Sequence, residues 1–114
     1  FRHDEFFLNG HFPGNPVVPG FMVTECMVQI GLVALGIYLE LEKDPHWQVP
    51  PFLLTDTQCN FWQPVFPGDT LHIISEKKYF RRHKLRCNIA ATNQHGVQVC
   101  SGVFSGMSLN KIEL

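Results

Sequence analysis

A single long apolar segment with helical character constrains this sequence most. Between Phe21 and about Lys43, apolar residues cover nearly the whole helical circumference, and in the central part only Gln29 and Glu40 interrupt them. A helix that is apolar on all sides is normally buried. We therefore expect one central, buried helix, with the rest of the chain arranged around it.

The sequence after residue 51 favours antiparallel strands. Extended segments at 52–62, 70–80, 85–92 and 97–107 are separated by turn signals, among them a hairpin turn at 93–96. One helix packed against one curved antiparallel sheet is an α+β arrangement. The length of 114 residues fits one domain, residues 1–114. Gly31 and Gly36 lower helix propensity, and we expect them to allow close approach of a neighbouring backbone.

Several function classes are disfavoured. The longest uncharged apolar run, Ile30 to Leu39, has ten residues, whereas a helix that spans a membrane needs about 20, so we expect no span. The four cysteines are too sparse for a disulfide framework and indicate reduced thiols in a cytoplasmic protein. Because the chain begins with Phe1 rather than Met, we expect it to be a fragment of a longer polypeptide.

Four residues have a spacing similar to that of zinc ligands. They are His83, Cys87, His95 and Cys100. Zinc ligands often occur in pairs at such spacings, but both pairs lie in segments that favour strands and have no CxxC knuckle. We expect no metal site and no cofactor.

Positive charge is concentrated in one short segment. Residues 77–86 contain six of the nine basic residues and no acid, so the rest of the chain is acidic. The six are Lys77, Lys78, Arg81, Arg82, Lys84 and Arg86. Such asymmetry indicates either an anionic partner or a solvated strand edge kept from aggregating by its charges. Nucleic acid is disfavoured because no recognition motif accompanies the cluster.

Three features near the start of the helix predict chemistry. His11 lies in a loop rich in Pro and Gly, and Glu25 lies in the first turns of an apolar helix, so we expect its carboxylate to face a hydrophobic cavity. Burial would suit that carboxyl to donate a proton, and His11 is the natural base. The helix start after Gly20 offers free N–H groups that can polarise a carbonyl. This set suggests elimination or hydration beside a carbonyl; the alternative is a surface His and a Glu that complements the helix dipole.

The same residues carry a resemblance to a known family. The run His11-Phe12-Pro13-Gly14-Asn15-Pro16-Val17-Val18-Pro19-Gly20, followed by Glu25-Cys26-Met27-Val28-Gln29 and Gly31, resembles the signature of the β-hydroxyacyl-(acyl carrier protein) dehydratases, the FabZ/FabA family. The segments 4–10 and 60–69 also resemble family segments. The resemblance implies the hot-dog fold, a long helix wrapped by an antiparallel sheet, with the N-terminal part of that fold missing here.

The resemblance also implies roles for individual residues. His11 matches the catalytic histidine and Glu25 the catalytic acid; Gly20 matches the residue whose N–H polarises the thioester carbonyl, and Val17 the one whose carbonyl orients the histidine. It implies dehydration of a (3R)-hydroxyacyl thioester to the trans-2-enoyl product, without a metal or redox cofactor.

The implied partners are an acyl carrier protein with a phosphopantetheine-linked chain and a second copy of this chain, as a homodimer or a higher oligomer of dimers. The basic cluster would be the docking surface for the carrier. The alternatives are another hot-dog enzyme (a polyketide, polyene or polyunsaturated-acid dehydratase, a dehydratase-isomerase or a thioesterase) and a non-catalytic subunit that binds acyl chains. A Glu rather than an Asp as the acid resembles the branch that does not isomerise.

Overall fold

The computed structural model describes residues 17–46 and 52–108. A central helix, Gly20–Lys43, is followed by four strands. The helix consists of three consecutive segments: an α-helical one, Gly20–Met27, a π-helical one, Val28–Val33, and a second α-helical one, Ala34–Lys43. The helix expected from the apolar pattern is confirmed, whereas the π-helical segment has no signal in that pattern.

The four strands form one antiparallel sheet. They are β1 (Phe52–Phe61), β2 (His72–Arg81), β3 (Lys84–Thr92) and β4 (Gln98–Ser108). Their order across the sheet is β1-β4-β3-β2, so β1 and β2 are the edge strands among the described residues. Every expected strand is present with ends within two residues of the expected ones, which confirms the α+β class.

The core lies between one face of the helix and one face of the sheet. Val23, Met27 and Leu32 on the helix are fully buried, as is Phe104 of β4. In β3, burial alternates along the strand, so Leu85, Cys87, Ile89 and Ala91 face the helix. This alternation confirms that the sheet is covered on one face.

The expectation of a helix buried on all sides is wrong for the single chain. The described sheet covers only one face of the helix. Phe21 is 71%, Ile30 58% and Tyr38 62% exposed on the other side. A four-stranded sheet contacts one side of a helix about 10 Å wide, so the remaining apolar face is left open.

The two helix glycines allow close approach, but of side chains rather than backbone. A Cβ atom on Gly31 would lie 2.9 Å from Cδ1 of Ile89, and one on Gly36 would lie 2.6 Å from the ring of Phe52. The expected contact with a neighbouring backbone occurs instead at Gly102 of β4, where a Cβ atom would meet the carbonyl oxygen of Gln58.

The central helix is long and apolar enough, by length and composition, to cross a membrane, with a mean hydropathy of 1.7 in its most apolar window. The longest uncharged apolar run therefore underestimates the length of helix that is apolar enough to cross a membrane. A single helix of this kind is weak evidence for a membrane span, because the core helix of a soluble protein passes the same test. The absence of a membrane span stays a prediction.

The cysteines are free thiols with differing exposure. Cys87 and Cys100 are buried, and Cys26 and Cys59 are half-buried. Burial raises the pKa of Cys26 and Cys87, and burial together with the neighbouring Cys59 raises the pKa of Cys100 to about 12. The thiols of Cys26, Cys87 and Cys100 therefore stay protonated near neutral pH.

Candidate functional site

The start of the central helix opens onto an apolar cleft of about 360 Å³. The cleft is lined by Val17, Val18, Gly20, Val23, Phe61, Trp62, Gln63, Pro64 and Val65. The segment before the helix thus forms one wall, and the end of β1 with the turn that follows forms the other. Apolar walls with a few polar groups at the mouth are typical of a ligand site.

Gly20 lies where the helix backbone meets this cleft. Met22 N and Val23 N donate the first hydrogen bonds, to Pro19 O, at 3.0 and 3.4 Å. The N–H of Gly20 precedes these bonds, so the helix supplies no acceptor for it. A Cβ atom at this position would lie 3.2 Å from the ring of Phe61. The lack of a side chain therefore allows the helix start to lie close to β1, and a free N–H at a helix start is a group that can bind an anionic oxygen.

A backbone hydrogen bond fixes the segment before the helix. Val18 N donates to Val65 O at 2.8 Å, and both side chains are buried. Val65 belongs to the turn after β1, so this bond joins the two walls of the cleft. The position of Gly20 therefore depends on the turn at residues 64–69.

Asp69 closes that turn. Its carboxylate accepts hydrogen bonds from Phe66 N and from Gln94 Nε2, each at 2.9 Å. Burial alone would raise the pKa of Asp69, but these two hydrogen bonds outweigh it, and the pKa lies below the ordinary value of 3.8. The ionised carboxylate thus connects the turn that carries Val65 to the β3–β4 connection.

Glu25 is exposed in the single chain, so the expectation that its carboxylate faces a hydrophobic cavity of its own subunit is wrong. The buried helix residues nearest to it, Val23 and Met27, face the sheet, and a residue midway between them faces the opposite side of a helix with 3.6 residues per turn. Gln29 Nε2 donates to Glu25 Oε1 at 2.9 Å. The carboxylate therefore lies on the open face of the helix.

That open face is a continuous stripe, which we call the exposed stripe: Phe21, Glu25, Ile30, Ala34 and Tyr38. These positions recur at steps of four or five residues, and all five are exposed. The candidate acid thus contacts Gln29 and lies in a row of mainly apolar side chains that no described residue covers.

His11 lies outside the described residues, so its distance from Glu25 stays a prediction. The structure places two of the other predicted site residues, Gly20 and Val17, together at the cleft. Sequence reasoning missed Phe61, Trp62 and Gln63 as lining residues. Their segment resembled the family, but only the contact between Gly20 and the ring of Phe61 and the shared cleft show that this segment reaches Gly20.

The basic cluster lies at the other end of the molecule. It occupies the β2–β3 hairpin, whose turn contacts the C-terminal part of the central helix through His83 and Glu40. Gly20 and Glu40 are 20 residues apart, roughly 30 Å along a helix. Within one chain the cluster is therefore distant from the cleft.

The six basic side chains are not equivalent. Lys77, Lys78, Arg81 and Arg82 are exposed, whereas Lys84 and Arg86 are half-buried. Arg86 Nη1 donates to Ser105 Oγ at 2.8 Å and lies 3.5 Å from Asp56 Oδ1. Arg86 therefore contributes to the contacts between β3, β4 and β1, and the exposed basic charge is concentrated in β2 and the hairpin turn.

Within residues 17–46 and 52–108, no three His, Cys, Asp or Glu side chains are placed to hold a metal ion. The members of the zinc-like pattern have other neighbours. His83 contacts Glu40, and Cys100 contacts Cys59.

Comparison with known proteins identifies the family. Residues 2–100 match the FabA-like domain family. The chain belongs to the FabA-like family. The resemblance of the HFPG loop and of the Glu25 segment to the FabZ/FabA dehydratases is thereby confirmed.

Named relatives agree with this membership. The chain is 41% identical over 80 residues to a 3-hydroxyacyl-[acyl-carrier-protein] dehydratase FabZ from Geotalea uraniireducens, covering 69% of this chain and 52% of the relative. It is 37% identical over 103 residues to the FabZ protein of Caldicellulosiruptor saccharolyticus, covering 87% of this chain and 66% of the relative. The chain thus spans about one half to two thirds of the length of these FabZ relatives.

Solved structures confirm the hot-dog fold. A hexameric thioesterase from Yersinia pestis superposes with a TM-score of 0.65 at 13% identity, covering 85% of this chain and 76% of the other. A mutant of a hypothetical thioesterase from Streptococcus pneumoniae gives 0.62 at 21% identity, covering 88% of this chain and 73% of the other. At these identities the likeness concerns the fold alone.

Asp69→Asn tests the support of the cleft. The substitution removes the charge that both hydrogen bonds favour, and we expect a loss of roughly 0.5–1 kcal/mol at neutral pH, because the carboxylate is only partly buried. A group whose pKa is lowered by folding stabilises above its unfolded pKa and loses that contribution as the pH falls through the folded pKa. The difference between variant and wild type should therefore be full at pH 7 and shrink below pH 3.8.

Urea unfolding of both proteins at pH 7, 5 and 3 measures this difference. A difference that does not change with pH would contradict the electrostatic role of Asp69.

Proposed function

We propose that this protein is a (3R)-hydroxyacyl-[acyl carrier protein] dehydratase that forms a trans-2-enoyl thioester in fatty-acid or related acyl-chain biosynthesis. The carrying observation is the start of the central helix, where Gly20, whose N–H has no acceptor within the helix, lines an apolar cleft within a FabA-like domain. An apolar cleft suits an acyl chain, and a free helix N–H suits a thioester oxygen that gains negative charge.

In this reaction His11 removes the α-proton of the thioester, with its ring oriented by the Val17 carbonyl. Negative charge develops on the thioester oxygen, where the Gly20 N–H stabilises it. Glu25 in its protonated form gives a proton to the β-hydroxyl, which leaves as water as the Cα–Cβ double bond forms. His11 holds the α-proton and Glu25 is left ionised, so proton exchange with solvent restores both groups. The reaction requires no metal or redox cofactor. We propose that it takes place in the cytoplasm.

The exposed stripe supports a homodimer. A protonated carboxyl group at neutral pH requires an apolar, water-poor environment, and in the single chain Glu25 is exposed. A second copy packed on the exposed stripe would cover Glu25 together with Phe21, Ile30 and Tyr38. Exposed apolar surface of this kind is typical of interfaces.

Strand β1, which lies at an edge of the sheet formed by the described residues, supports the same conclusion. Most of its side chains are exposed, including Leu53 at 47% and Leu54 at 43%. Its ten residues contain no Lys, Arg or Pro, the residues that normally protect an edge from pairing. We propose that β1 and the exposed stripe together form the dimer contact.

The β2–β3 hairpin that carries the basic cluster, which we call the basic hairpin, supports docking of an acidic carrier protein. Its exposed members are Lys77, Lys78, Arg81 and Arg82, with Lys84 beside them. Two helices related by a two-fold axis across their length run antiparallel, so the end of one lies beside the start of the other. A dimer of this kind brings the hairpin of one subunit towards the cleft of its partner. Docking at the hairpin would then serve the partner's site.

Removal of either acid–base group should abolish turnover. Acid–base catalysis contributes about 10²–10⁴-fold per group, so His11→Ala and Glu25→Ala should each lose at least that factor without unfolding. Because the two groups act in one step, the double variant should lose far less than the product of the single losses. Enoyl absorbance with a hydroxyacyl thioester measures the rate in the full-length protein.

His46→Ala and Glu42→Ala are matched controls, since both side chains are exposed and lie at or just beyond the C-terminal end of the central helix, whereas the cleft lies at its start. A His11 or Glu25 variant that keeps more than about a third of the wild-type rate would remove that residue from the chemistry. Release of a free thiol in place of enoyl product would identify a thioesterase.

The full-length protein should be a dimer or a larger assembly of dimers at micromolar concentration. Ile30→Lys places a charge in the middle of the exposed stripe and should shift the assembly towards monomer, because burial of an unpaired charge is costly. Light scattering after gel filtration measures the mass. Lys43→Glu, a charge change at the end of the same helix outside the stripe, is the control. A monomeric wild-type protein would refute the dimer.

Arg81→Glu with Arg82→Glu should raise the Michaelis constant for the carrier-linked substrate several-fold. Exposed charges act mainly on encounter, so the effect should fade with added salt, and turnover of a short pantetheine thioester should barely change. Steady-state kinetics with both substrates at low and high salt test this. Equal effects on both substrates, or none, would show that the carrier docks elsewhere.

A further inference from the structure

A buried carboxylate lies beneath the tip of the basic hairpin. Glu40 is 2% exposed, and no other Asp, Glu, Lys or Arg within the described ranges is as buried. It interrupts the apolar pattern of the central helix at a position where an apolar side chain would serve packing alone. Burial of a carboxylate is costly unless hydrogen bonds compensate for the lost water, so its contacts indicate its role.

The contacts of Glu40 all lead to the hairpin turn. His83 Nδ1 and Glu40 Oε2 are 2.6 Å apart and share a hydrogen bond, in which a carboxylate oxygen accepts from the imidazole N–H. Ser108 Oγ donates to the same oxygen at 3.4 Å, and Ser108 N donates to His83 O at 3.1 Å. The other oxygen, Oε1, is buried and meets no donor in the described part of the chain. Glu40 therefore depends on His83 for its compensation.

The turn itself has an unfavourable local sequence. Arg82 and His83 both have a positive φ, of 51° and 63°. Two consecutive left-handed residues between antiparallel strands are typical of a turn that favours Asn and Gly, and other residues adopt it at a cost. The contact with Glu40 offsets that cost and holds His83 in place from outside the hairpin.

We propose that Glu40 is a positioning residue for the basic hairpin: through His83 it fixes the turn, and thereby the direction in which Arg81 and Arg82 are presented to an anionic partner. The guanidinium group of Arg81 lies 4.5 Å from the centre of the Tyr79 ring. Because both residues belong to β2, the direction of the Arg81 side chain follows the backbone of the hairpin. The proposal has two parts. The kinetic part, that Glu40 affects binding of the carrier, rests on the proposed carrier docking. The structural part, that Glu40 fixes the turn through His83, does not.

Amide hydrogen exchange tests the structural part. In the full-length protein, Glu40→Gln removes the charge-assisted hydrogen bond and should speed exchange of the amides at residues 81–85 about tenfold or more, the factor that corresponds to the loss of one such bond. Glu42→Gln removes an equal charge from an exposed position of the same helix and should leave these amides unchanged. Equal exchange in the two variants would overturn the proposal.

Steady-state kinetics test the positioning role. Glu40→Gln should raise the Michaelis constant for a carrier-linked hydroxyacyl substrate several-fold, without a change in kcat or in the kinetics of a short pantetheine thioester. A fall in kcat with both substrates would indicate a general loss of structure and would overturn the proposal.

A compensating variant distinguishes positioning from simple stabilisation and covers the case in which Glu40→Gln fails to fold. Glu40→Leu with His83→Gly removes the buried charge and places at the turn a residue that adopts a positive φ freely. If Glu40 acts through the turn, the melting temperature of this double variant should return to the wild-type value. Its Michaelis constant for the carrier-linked substrate should return most of the way to the wild-type value. Restored stability with an uncorrected Michaelis constant would show that the His83 side chain itself is required, and would overturn a role through the turn alone.

The outcomes separate this proposal from the proposed function. If Arg81→Glu with Arg82→Glu raises the carrier Michaelis constant and Glu40→Gln does not, docking stands and the positioning role is overturned. If neither variant changes it, carrier docking at the hairpin is refuted and the positioning role with it, whatever the exchange data show for the turn.

Discussion

The fold depends on the packing of one apolar helix against a sheet that can cover only one of its faces. Val23, Met27 and Leu32 insert into the face of β3 and β4 that carries Ile89 and Phe104. Burial of these side chains provides most of the hydrophobic stabilisation, at about 25 cal/mol per Å². The same geometry leaves the opposite helix face apolar and open. The position of Glu25 on that face follows from the packing of the core.

A second constraint acts at the start of the helix. The bond from Val18 to Val65 ties the extended segment before the helix to the turn after β1, and Asp69 holds that turn in shape. Gly20 is thereby held against Phe61 at the wall of the cleft. Trp62 adds a further link, because its Nε1 donates to Ser101 Oγ of β4 at 3.0 Å. The rigid elements thus define the cleft before any ligand binds.

Local pattern was sufficient to predict the helix, the four strands and the resemblance that led to Gly20 and Val17, because periodicity and turn residues act over a few positions. It was insufficient wherever a side chain depends on distant parts of the chain. The exposure of Glu25 depends on which helix face the sheet covers. The contact between Glu40 and His83 joins residues 43 positions apart. The turn at Arg82 and His83 contains neither Gly nor Asn, so its left-handed backbone has no local signal and is explained by the tertiary contact.

The central helix gives its two ends different properties. Its N-terminal end carries N–H groups that have no acceptor within the helix, and it meets apolar walls, which suits stabilisation of developing negative charge. Its C-terminal end carries a buried carboxylate that holds a positively charged hairpin, where Lys43 also lies over the ring of Phe80 at 4.7 Å. A carboxylate near that end is unfavourable for the helix dipole, and Glu40 is therefore placed there against local preference. The contact with His83 offsets this cost, and so the same residue links the helix that carries the cleft to the hairpin that presents positive charge.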